Sequence, residues 1–369
     1  MRVAIVTETF VPKMDGIVRT LLEFLAYMRE HGHEALVIAA GSGPRHVDGF
    51  PVARMSGVRF PLYPEITLAP IAPSLGRRLD EFHPDVVHLA GPCVLGATAL
   101  LTARSRGLPV AAHFQTDLAR YAAHFGFAPL APSMWRYLVG LHNLANVTYA
   151  PTRQVRCELE SHGMQRVRIS GRGVDTELFN PSRRNGHNAD LLYVGRVSPE
   201  KNVSWLADLA EALPDKHLRV VGDGPGLPPL QRRLEGLPNV EFSGPLYGTK
   251  LAEAFASANL FVFPSHTETF GQVVQEAMAS GLPVVGVAAG GVADLISPGD
   301  TGLLCRPHDR RSFIAAVQDL LADEPARQRM AINARAFAER QTWRSVFDAL
   351  IHDYQELAAS KGGRAPLYG

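Results

Sequence analysis

Short runs rich in β-branched residues alternate with helix-length segments along the chain, and this alternation constrains the fold more than any other feature. The runs include RVAIVTE, EALVIAA, DVVHLA and PVAAHF in the first half, and LLYVGR, LRVVGDG, VEFSG, LFVFPS and PVVGV in the second. Strands that are separated by helices form parallel βαβ units. The pattern therefore predicts an α/β protein built on parallel sheets.

The chain has 369 residues, which exceeds the size at which one hydrophobic core usually stops growing. The alternation stops at GRGVDTELFNPSRRNGHNAD, residues 171–190, where Gly, Asn, Pro and Arg replace the periodic pattern. We therefore expect two Rossmann-like, doubly wound domains, residues 1–175 and 176–342. Such sheets bind ligands at the carboxyl ends of their strands, so a cleft between the domains is the expected site.

Composition and charge exclude several classes of protein. Hydrophobic residues make up 46% of the chain and charged residues 20%, which is typical of a globular protein. The net charge is +1, with 18 minus 14, or +4, for residues 1–175 and 19 minus 22, or −3, for residues 176–369. This balance argues against a nucleic-acid partner. Two interpretations of the small positive charge of the first half remain open. It could lie beside anionic lipid or phosphate, or it could consist of scattered charges that are simply solvated.

The sequence contains no recognisable targeting or membrane-spanning segment. Met1 is followed directly by a strand-like run, and no apolar run approaches the roughly 18 residues that a spanning helix needs. Cys93, Cys157 and Cys305 are widely spaced, without a CxxC pair, and are expected to be buried thiols in a reducing compartment. We therefore expect a cytoplasmic protein that at most binds peripherally to the inner face of the cell membrane.

Two stretches have the chemistry of a phosphate site. Gly16 precedes a helical run, where free N–H groups and the helix dipole favour an anion, although an ordinary loop glycine is the alternative. Arg196 and Lys201 follow the strand LLYV at the start of the next helix, where two cations suit a pyrophosphate or form a solvated charge pair. VGDGPG at 221–226 does not fit GxGxxG, and GxxxxGK[ST] is missing, so Asp223 is interpreted as a turn residue.

Glu268 and Glu276 lie on either side of the start of a predicted helix. Glu268 belongs to the loop HTETFG after a strand, and Glu276 is expected about two turns along the helix QVVQEAMASG. They are placed to bind hydroxyl groups at two separate points of an extended ligand, such as the sugar and the ribose of a nucleotide-sugar. The alternative is a capping carboxylate and a partly buried helix glutamate.

These motifs together resemble glycosyltransferase family 4, whose members have the GT-B fold of two Rossmann-like domains. TETFVPKMDGIVRTL is similar to the family's opening loop, GRGVDTELFNP to its interdomain segment and VGRVSPEKN to its phosphate loop, while the two glutamates followed by AMASGLPVVGVAAGG resemble its C-terminal signature. The resemblance covers nearly the whole chain. It implies anomer-retaining transfer from a nucleotide-sugar, and we expect residues 343–369 to form a helix that returns to the first domain.

The resemblance also implies roles for single residues. Arg196 and Lys201 would neutralise the diphosphate, Glu268 would hold sugar hydroxyls and Glu276 the ribose. Gly16 would approach the diphosphate and sugar, and the backbone amides of Phe270, Gly271 and Gln272 would meet sugar or phosphate oxygens. Retention would follow from front-face substitution, in which the leaving phosphate deprotonates the acceptor. The chain contains no DxD pair, so neither a metal nor another cofactor is expected.

One segment departs from the family pattern. Many members have a donor-contacting histidine at the end of an N-domain strand, whereas this chain has AAHFQTD, with Gln115 at the aligned position and His113 two residues earlier. Residues i and i+2 share a strand face, so His113, Gln115 and the nearby Asp117 are possible sugar contacts. A core or surface position for His113 is the alternative.

The resemblance leaves the donor and the acceptor open. Residues 114–117 and the helix after Glu268 resemble bacterial GDP-mannose-dependent mannosyltransferases that build glycolipids. The opening loop and FPLYPEITLAP resemble sulfoquinovosyldiacylglycerol synthases, which use a UDP-sugar. We favour GDP-mannose and a lipid or glycolipid acceptor. The alternatives are a UDP-sugar-dependent sulfoquinovosyl- or glucosyl-diacylglycerol synthase, a transferase to a small soluble acceptor and, more remotely, a GT-B epimerase, phosphorylase or non-catalytic binding protein.

Overall fold

The chain divides into two compact units, one of Met1–Gly171 with Val346–Gly369 and one of Arg172–Ser345. The computed structural model describes residues 1–60, 63–68, 73–91, 93–115, 128–186 and 189–360. The division after Gly171 lies four residues before the predicted boundary, inside the segment where the strand and helix alternation stops.

The first unit contains an eight-stranded sheet with strand order β10-β9-β8-β7-β1-β2-β4-β3, and all neighbours in it are parallel except β3 and β4. The strands are β1 (Arg2–Thr7), β2 (Glu34–Ala40), β3 (His46–Val47), β4 (Phe50–Met55), β7 (Val86–Leu89), β8 (Val110–His113), β9 (Val147–Ala150) and β10 (Val167–Ile169), with a separate hairpin of β5 (Val58–Phe60) and β6 (Tyr63–Leu68). The described helices of this region are α1 (Gly16–Glu30), α2 (Pro73–Phe82), α3 (Leu95–Ser105), α4 (Ala131–Leu144) and α5 (Arg153–Ser161).

The second unit contains a six-stranded, fully parallel sheet with strand order β13-β12-β11-β14-β15-β16. Its strands are β11 (Ala189–Val194), β12 (Leu218–Val221), β13 (Val240–Gly244), β14 (Ala258–Phe263), β15 (Val284–Val287) and β16 (Gly302–Cys305). Its helices are α6 (Ser204–Ala212), α7 (Leu227–Arg233), α8 (Gly248–Ala256), α9 (Gln272–Ala279), α10 (Val292–Leu295), α11 (Arg310–Ala322) and α12 (Glu324–Glu339).

The central strands form the core of each unit, because both of their faces are covered. Val3, Ala4 and Ile5 of β1 have no exposed surface, and neither do Leu260 and Phe261 of β14. Consecutive buried residues of this kind are typical of parallel strands with helices on both sides of the sheet. They explain why the strands appear in the sequence as continuous apolar runs.

A long C-terminal helix, α13 (Trp343–Ala359), begins in the second unit and belongs to the first unit from Val346 onward. Tyr27 donates a hydrogen bond to Asp348 at 2.5 Å, and Tyr149 donates one to Asp353 at 2.9 Å. Arg168 lies 3.0 Å from the same Asp353 carboxylate. Polar contacts therefore attach this helix to α1 and to the strands at one side of the first sheet.

The expectation of three buried thiols is wrong for Cys157. Cys305 is buried and Cys93 is half-buried, but Cys157 is exposed on α5. This helix buries Val155 and Leu159, which are one turn apart, so the position between them points away from the core. None of the helices that the structure describes has both the length and the apolar character needed to cross a membrane.

Candidate functional site

The residues predicted to bind the donor in the second half of the chain follow two neighbouring strands. β11 and β14 pair at the point where the strand order reverses, with β12 and β13 on one side and β15 and β16 on the other. Arg196 and Lys201 follow β11, and Glu268 follows β14. Ligands of doubly wound sheets bind at this kind of switch point. The sheet therefore brings together two loops that are more than sixty residues apart in the sequence.

The two loops are joined by polar contacts. Lys201 Nζ lies 2.5 Å from Glu268 Oε1, and both side chains are about one-fifth exposed, at 19% and 21%. Ser265 Oγ lies 3.3 Å from the same carboxylate oxygen. Asn202, in the left-handed region at φ 52°, donates from Nδ2 to the carbonyl of Pro264 at 3.0 Å. The cation and the carboxylate are thus held in place together.

Arg196 is exposed, and its position is set by its backbone. The Tyr193 hydroxyl donates to the Arg196 carbonyl at 2.9 Å. Burial raises the pKa of the nearby Glu200, but the Ser198 hydroxyl, a backbone amide and the charges of Arg196 and Lys201 outweigh this, so the pKa lies below its ordinary value. The loop therefore carries an exposed guanidinium beside a carboxylate that stays ionised.

Close backbone packing explains the glycines of VGDGPG. Gly222 has φ 135°, and a Cβ there would lie 1.9 Å from the carbonyl oxygen of Gly195. A Cβ at Gly224 would lie 2.4 Å from the carbonyl oxygen of Val197. Asp223 Oδ1 accepts from the Gly224 amide at 2.7 Å, which is a turn contact. These glycines therefore support the loop of Arg196 by direct backbone contact.

The start of α9 is also shaped by glycine. Gly271 caps the helix in the left-handed region at φ 94°, and Phe270 before it is buried. Gly291 donates to the Glu268 carbonyl at 2.7 Å, and a Cβ on it would lie 2.5 Å from Phe270 Cα. The first amides of a helix have no carbonyl acceptor within it. The backbone from Glu268 to the helix is thus held at the carboxyl edge of the sheet.

Glu276 is buried on α9, with 1% of its surface exposed. The helix begins at Gln272, so Glu276 lies about one turn from its start. The expected distance of two turns is wrong, because only four residues separate Glu276 from the helix start at Gln272, which the sequence placed correctly. Glu268 and Glu276 therefore lie on either side of the helix N-terminus, as the sequence indicated.

In the first unit, Gly16 is the first residue of α1, and Asp15 caps the helix. The Asp15 carboxylate accepts from the amides of Ile17 and Val18 at 3.0 and 2.9 Å. These two N–H groups are therefore not free for phosphate, contrary to the expectation of free amides at this helix start. A negative side chain at the same point also opposes an incoming anion.

His113 lies in the core of the first unit. Its Nε2 is 2.8 Å from the Tyr354 hydroxyl, and its ring stacks on His88 at 4.1 Å and on Tyr149 at 4.8 Å. Burial, and then the neighbouring His88 and His142, lower its pKa well below the ordinary value, so the ring is neutral. These contacts favour the core alternative for this residue. Gln115 lies just beyond the end of β8 and is half-buried, and Asp117 lies outside the described residues.

Sequence reasoning missed Glu8, which follows β1. Its Oε1 accepts from the amides of Val94 and Gly96 at 2.8 and 3.1 Å, so it caps the start of α3 from a different element. Burial raises its pKa, and these backbone hydrogen bonds partly oppose that shift. The signal that could have identified it is its position, because Glu268 likewise follows a central strand.

Groups of three or more His, Cys, Asp or Glu side chains that could hold a metal ion do not occur among the described residues. The expectation of transfer without a metal or another cofactor stays a prediction.

Comparison with known proteins identifies the family. A model described as glycosyltransferase family 4 matches residues 14–178, and one described as glycosyl transferases group 1 matches residues 174–337. A GDP-mannose-dependent alpha-mannosyltransferase of Mycolicibacterium smegmatis is 40% identical over 99% of this chain and 100% of its own length. A protein of the same name from Corynebacterium glutamicum is 36% identical over 97% of this chain and 90% of its own length.

Sulfoquinovosyl transferase SQD2 of Arabidopsis thaliana is 32% identical over 94% of this chain and 71% of its own length. Among solved structures, Anabaena HepE in complex with UDP superimposes with a TM-score of 0.81 at 20% identity, over 96% of this chain and 100% of that one. Sucrose-phosphate synthase of Thermosynechococcus elongatus superimposes with a TM-score of 0.81 at 20% identity, over 97% of this chain and 99% of that one. These structures bear on the fold alone.

The predicted fold of two doubly wound parallel sheets is confirmed, and so is the resemblance stated from the motifs. Both family models and relatives of similar length cover nearly the whole chain. The chain therefore belongs to glycosyltransferase family 4 and is a nucleotide-sugar-dependent glycosyltransferase.

Proposed function

We propose that the enzyme transfers mannose from GDP-mannose to a lipid or glycolipid acceptor, with retention of the anomeric configuration. The observation that carries the proposal is the pairing of Lys201 with Glu268 beside the N-terminus of α9. It supports a site where a diphosphate and a sugar lie next to each other. The similarity to two GDP-mannose-dependent alpha-mannosyltransferases supports the choice of sugar and base.

Four groups of protein atoms bind different parts of the donor. Arg196 and Lys201 neutralise the diphosphate, and Glu268 accepts hydrogen bonds from sugar hydroxyls. Glu276 binds the ribose from within α9. The backbone amides of residues 270–272 complete the site with uncharged donors that point along the helix axis. Positioning and charge stabilisation are therefore the main contributions of the protein.

Retention follows from front-face substitution. The bond between the anomeric carbon and the leaving phosphate oxygen breaks, and the acceptor oxygen bonds to the same face of that carbon. The acceptor proton passes to the leaving phosphate, so no enzymic nucleophile is required. Arg196 and Lys201 stabilise the charge that develops on the departing diphosphate.

The first unit provides apolar surface for a lipid acceptor or a bilayer. Leu101 on α3, Leu130 before α4 and Tyr137 on α4 are each about half exposed. Aromatic and aliphatic side chains of this kind are favoured at a headgroup boundary. Residues 59–73 and 119–135 mix aromatic, aliphatic and proline residues and are the segments that we expect to contact lipid, and parts of both lie outside the described residues.

The small positive excess of the first half of the chain includes Arg77, Arg78, Arg104, Arg106 and Arg120, and the four of these that the structure describes are engaged in polar contacts. Arg106 makes two bonds to Asp80, and Arg77 and Arg78 both lie within ion-pair distance of Glu81. Arg104 donates to the Leu144 carbonyl, and Arg120 lies outside the described residues. Membrane attachment therefore depends more on apolar contact than on charge, and its dependence on salt should be modest.

Two experiments test the proposal. A thermal-shift panel of GDP, UDP, ADP and their sugars should give the largest stabilisation with GDP and GDP-mannose, because a ligand of the folded state raises stability by mass action. Vesicle flotation with transfer to diacylglycerol tests the acceptor. Stabilisation by UDP-sugars instead would favour a sulfoquinovosyl or glucosyl transferase, which the similarity to SQD2 supports as the second candidate. Faster transfer to a soluble acceptor, without vesicle binding, would contradict the lipid acceptor.

A further inference from the structure

The chain passes between its two compact units twice, after Gly171 and after Ser345. Within the second unit, the segments next to these two points contact each other. The Val174 amide donates to the Gln341 carbonyl at 2.9 Å. We refer to residues 172–174 as the first crossing segment. Its backbone position sets where the chain enters the second unit.

Two glutamine side chains of α9 hold the first crossing segment. Gln272 Nε2 donates to the Gly173 carbonyl at 2.9 Å, and Gln275 Nε2 donates to the Arg172 carbonyl at 3.1 Å. Gly173 also packs against the backbone at Trp343, close to the second point of passage, because a Cβ on Gly173 would lie 2.2 Å from the Trp343 nitrogen. The first crossing segment therefore contacts both α9 and the backbone at Trp343.

A further contact joins the opposite end of α9 to the chain that follows the crossing segment. Arg335 of α12 donates from Nη1 to the Phe179 carbonyl at 2.8 Å and to the Ala279 carbonyl at 2.5 Å. Ala279 is the last residue of α9. The helix is thus connected to residues 172–179 at both of its ends.

Stability alone does not explain the two glutamines. Gln275 has no exposed surface, and the amide oxygens of Gln272 and Gln275 are buried without a hydrogen-bond partner among the described residues. A buried polar atom of this kind costs about 1 to 3 kcal/mol. A methionine would fill similar space without a buried amide oxygen, but it would also remove the donor to the Arg172 or Gly173 carbonyl. What the glutamines add is the directed bond to each backbone carbonyl.

We propose that Gln272 and Gln275 are positioning residues that couple donor binding at the start of α9 to the first crossing segment. The inference rests on the proposed function, because it takes the amides of residues 270–272 to contact the donor. A diphosphate bound there restrains the first turn of the helix. The two side-chain amides pass that restraint to the carbonyls of Arg172 and Gly173, and so to the connection between the units.

Hydrogen exchange measured by mass spectrometry, with and without saturating GDP, tests this coupling without any need for turnover. In the wild type, GDP should slow amide exchange in peptides covering the start of α9 and in peptides covering 172–180. In Gln275→Met, GDP should still slow amide exchange at the start of α9. It should no longer slow exchange in peptides covering 172–180. Gln272→Met, at a half-buried position, provides a second variant if the first folds poorly.

Kinetic measurements should likewise separate turnover from GDP binding. In Gln275→Met, kcat should fall between about tenfold and a hundredfold, because misplacement remote from the reacting atoms has effects of that size. The Kd for GDP should change by less than about threefold, or 0.7 kcal/mol. Gln328→Met is the control for the replacement of glutamine by methionine, since Gln328 is exposed on α12 and its side chain donates to Glu324, one turn earlier on the same helix. Val317→Ala, in the core, is the control for lost stability.

Three results would overturn the inference while leaving the proposed function in place. The first is GDP binding to the wild type with no change of exchange in 172–180. The second is a variant that loses stability as Val317→Ala does and keeps its kcat. The third is an equal loss of GDP affinity and kcat, which would make Gln275 a donor-binding residue. If the wild type binds no nucleoside diphosphate, the proposed function and the inference both fail.

Discussion

Lys201 Nζ lies 2.5 Å from Glu268 Oε1, so the cation expected to hold the diphosphate and the carboxylate expected to hold the sugar neutralise each other. They come from loops that follow different strands of one sheet. The pair is only about one-fifth exposed, and removing either member leaves the other without compensation in a partly dry environment. Arg196, by contrast, is exposed to solvent.

This difference predicts unlike effects of two alanine variants. Arg196→Ala should weaken donor use by about 1 to 3 kcal/mol in kcat/KM while changing the free energy of unfolding by less than about 0.5 kcal/mol. Lys201→Ala should weaken donor use at least as much and should also lower stability by about 1 to 2 kcal/mol, because Glu268 loses its partner. Donor kinetics and urea unfolding of both variants measure the two quantities. Wild-type kinetics in either variant would contradict its role at the diphosphate.

The two glutamates should be separable by the ligand that is used. Glu276→Gln should weaken binding of GDP alone by about tenfold, because only Glu276 is assigned to the ribose. Glu268→Gln should bind GDP nearly as the wild type does and lose turnover with the intact donor. Glutamine is preferred to alanine, since a cavity at the buried Glu276 would disturb α9. Calorimetry measures the Kd for GDP in both variants. Equal losses of GDP affinity in the two variants would contradict the assignment of Glu276 to the ribose.

Backbone packing at Gly222 should be essential for the Arg196 loop. Gly222→Ala places a Cβ against the Gly195 carbonyl and should lower both stability and donor turnover. Gly236→Ala is a matched control, because Gly236 has φ 84° with open space around the new Cβ. It should cost only the backbone strain, about 1 kcal/mol, and should keep donor kinetics. Equal stability losses in the two variants would show that the close approach is unimportant.

The histidines of the first unit predict how stability depends on pH. Burial lowers the pKa of His88 to about 3 and that of His142 to about 4, and His113 is shifted in the same direction. The unfolded chain binds these protons near pH 6.5, so stability is complete above that pH and falls as the pH decreases toward 4. Between pH 7 and 5 the loss should be about 1 to 2 kcal/mol for each histidine.

Urea unfolding at several pH values tests this dependence. His88→Asn should give a shallower slope, because asparagine can place a polar atom near Nδ1 without titrating. His352→Asn is the control, since its imidazole lies on the exposed side of α13 next to Glu356. A slope that is unchanged in His88→Asn would contradict the contribution of His88 to the acid sensitivity.

Much of the donor site could be predicted because its residues follow strands. Arg196 and Glu268 each come directly after an apolar run, and the carboxyl ends of parallel strands meet at one edge of a sheet. The helix start at Gln272 was also predicted correctly, but Glu276 lies about one turn from it and not the expected two. Gly16 was correctly placed at the start of a helix, but the capture of two amides by Asp15 depends on a side-chain rotamer that spacing does not reveal.

The sequence by itself determined the class of fold, the approximate position of the division and the family, since periodicity and motif spacing are local properties of the chain. Only the tertiary structure decided that Lys201 pairs with Glu268, that His113 is enclosed by Tyr354 and His88, and that Gln275 holds the first crossing segment. Each of these contacts joins residues that are distant in sequence. They depend on strand order and on how helices pack over the sheets, which are properties of the whole chain rather than of any single segment.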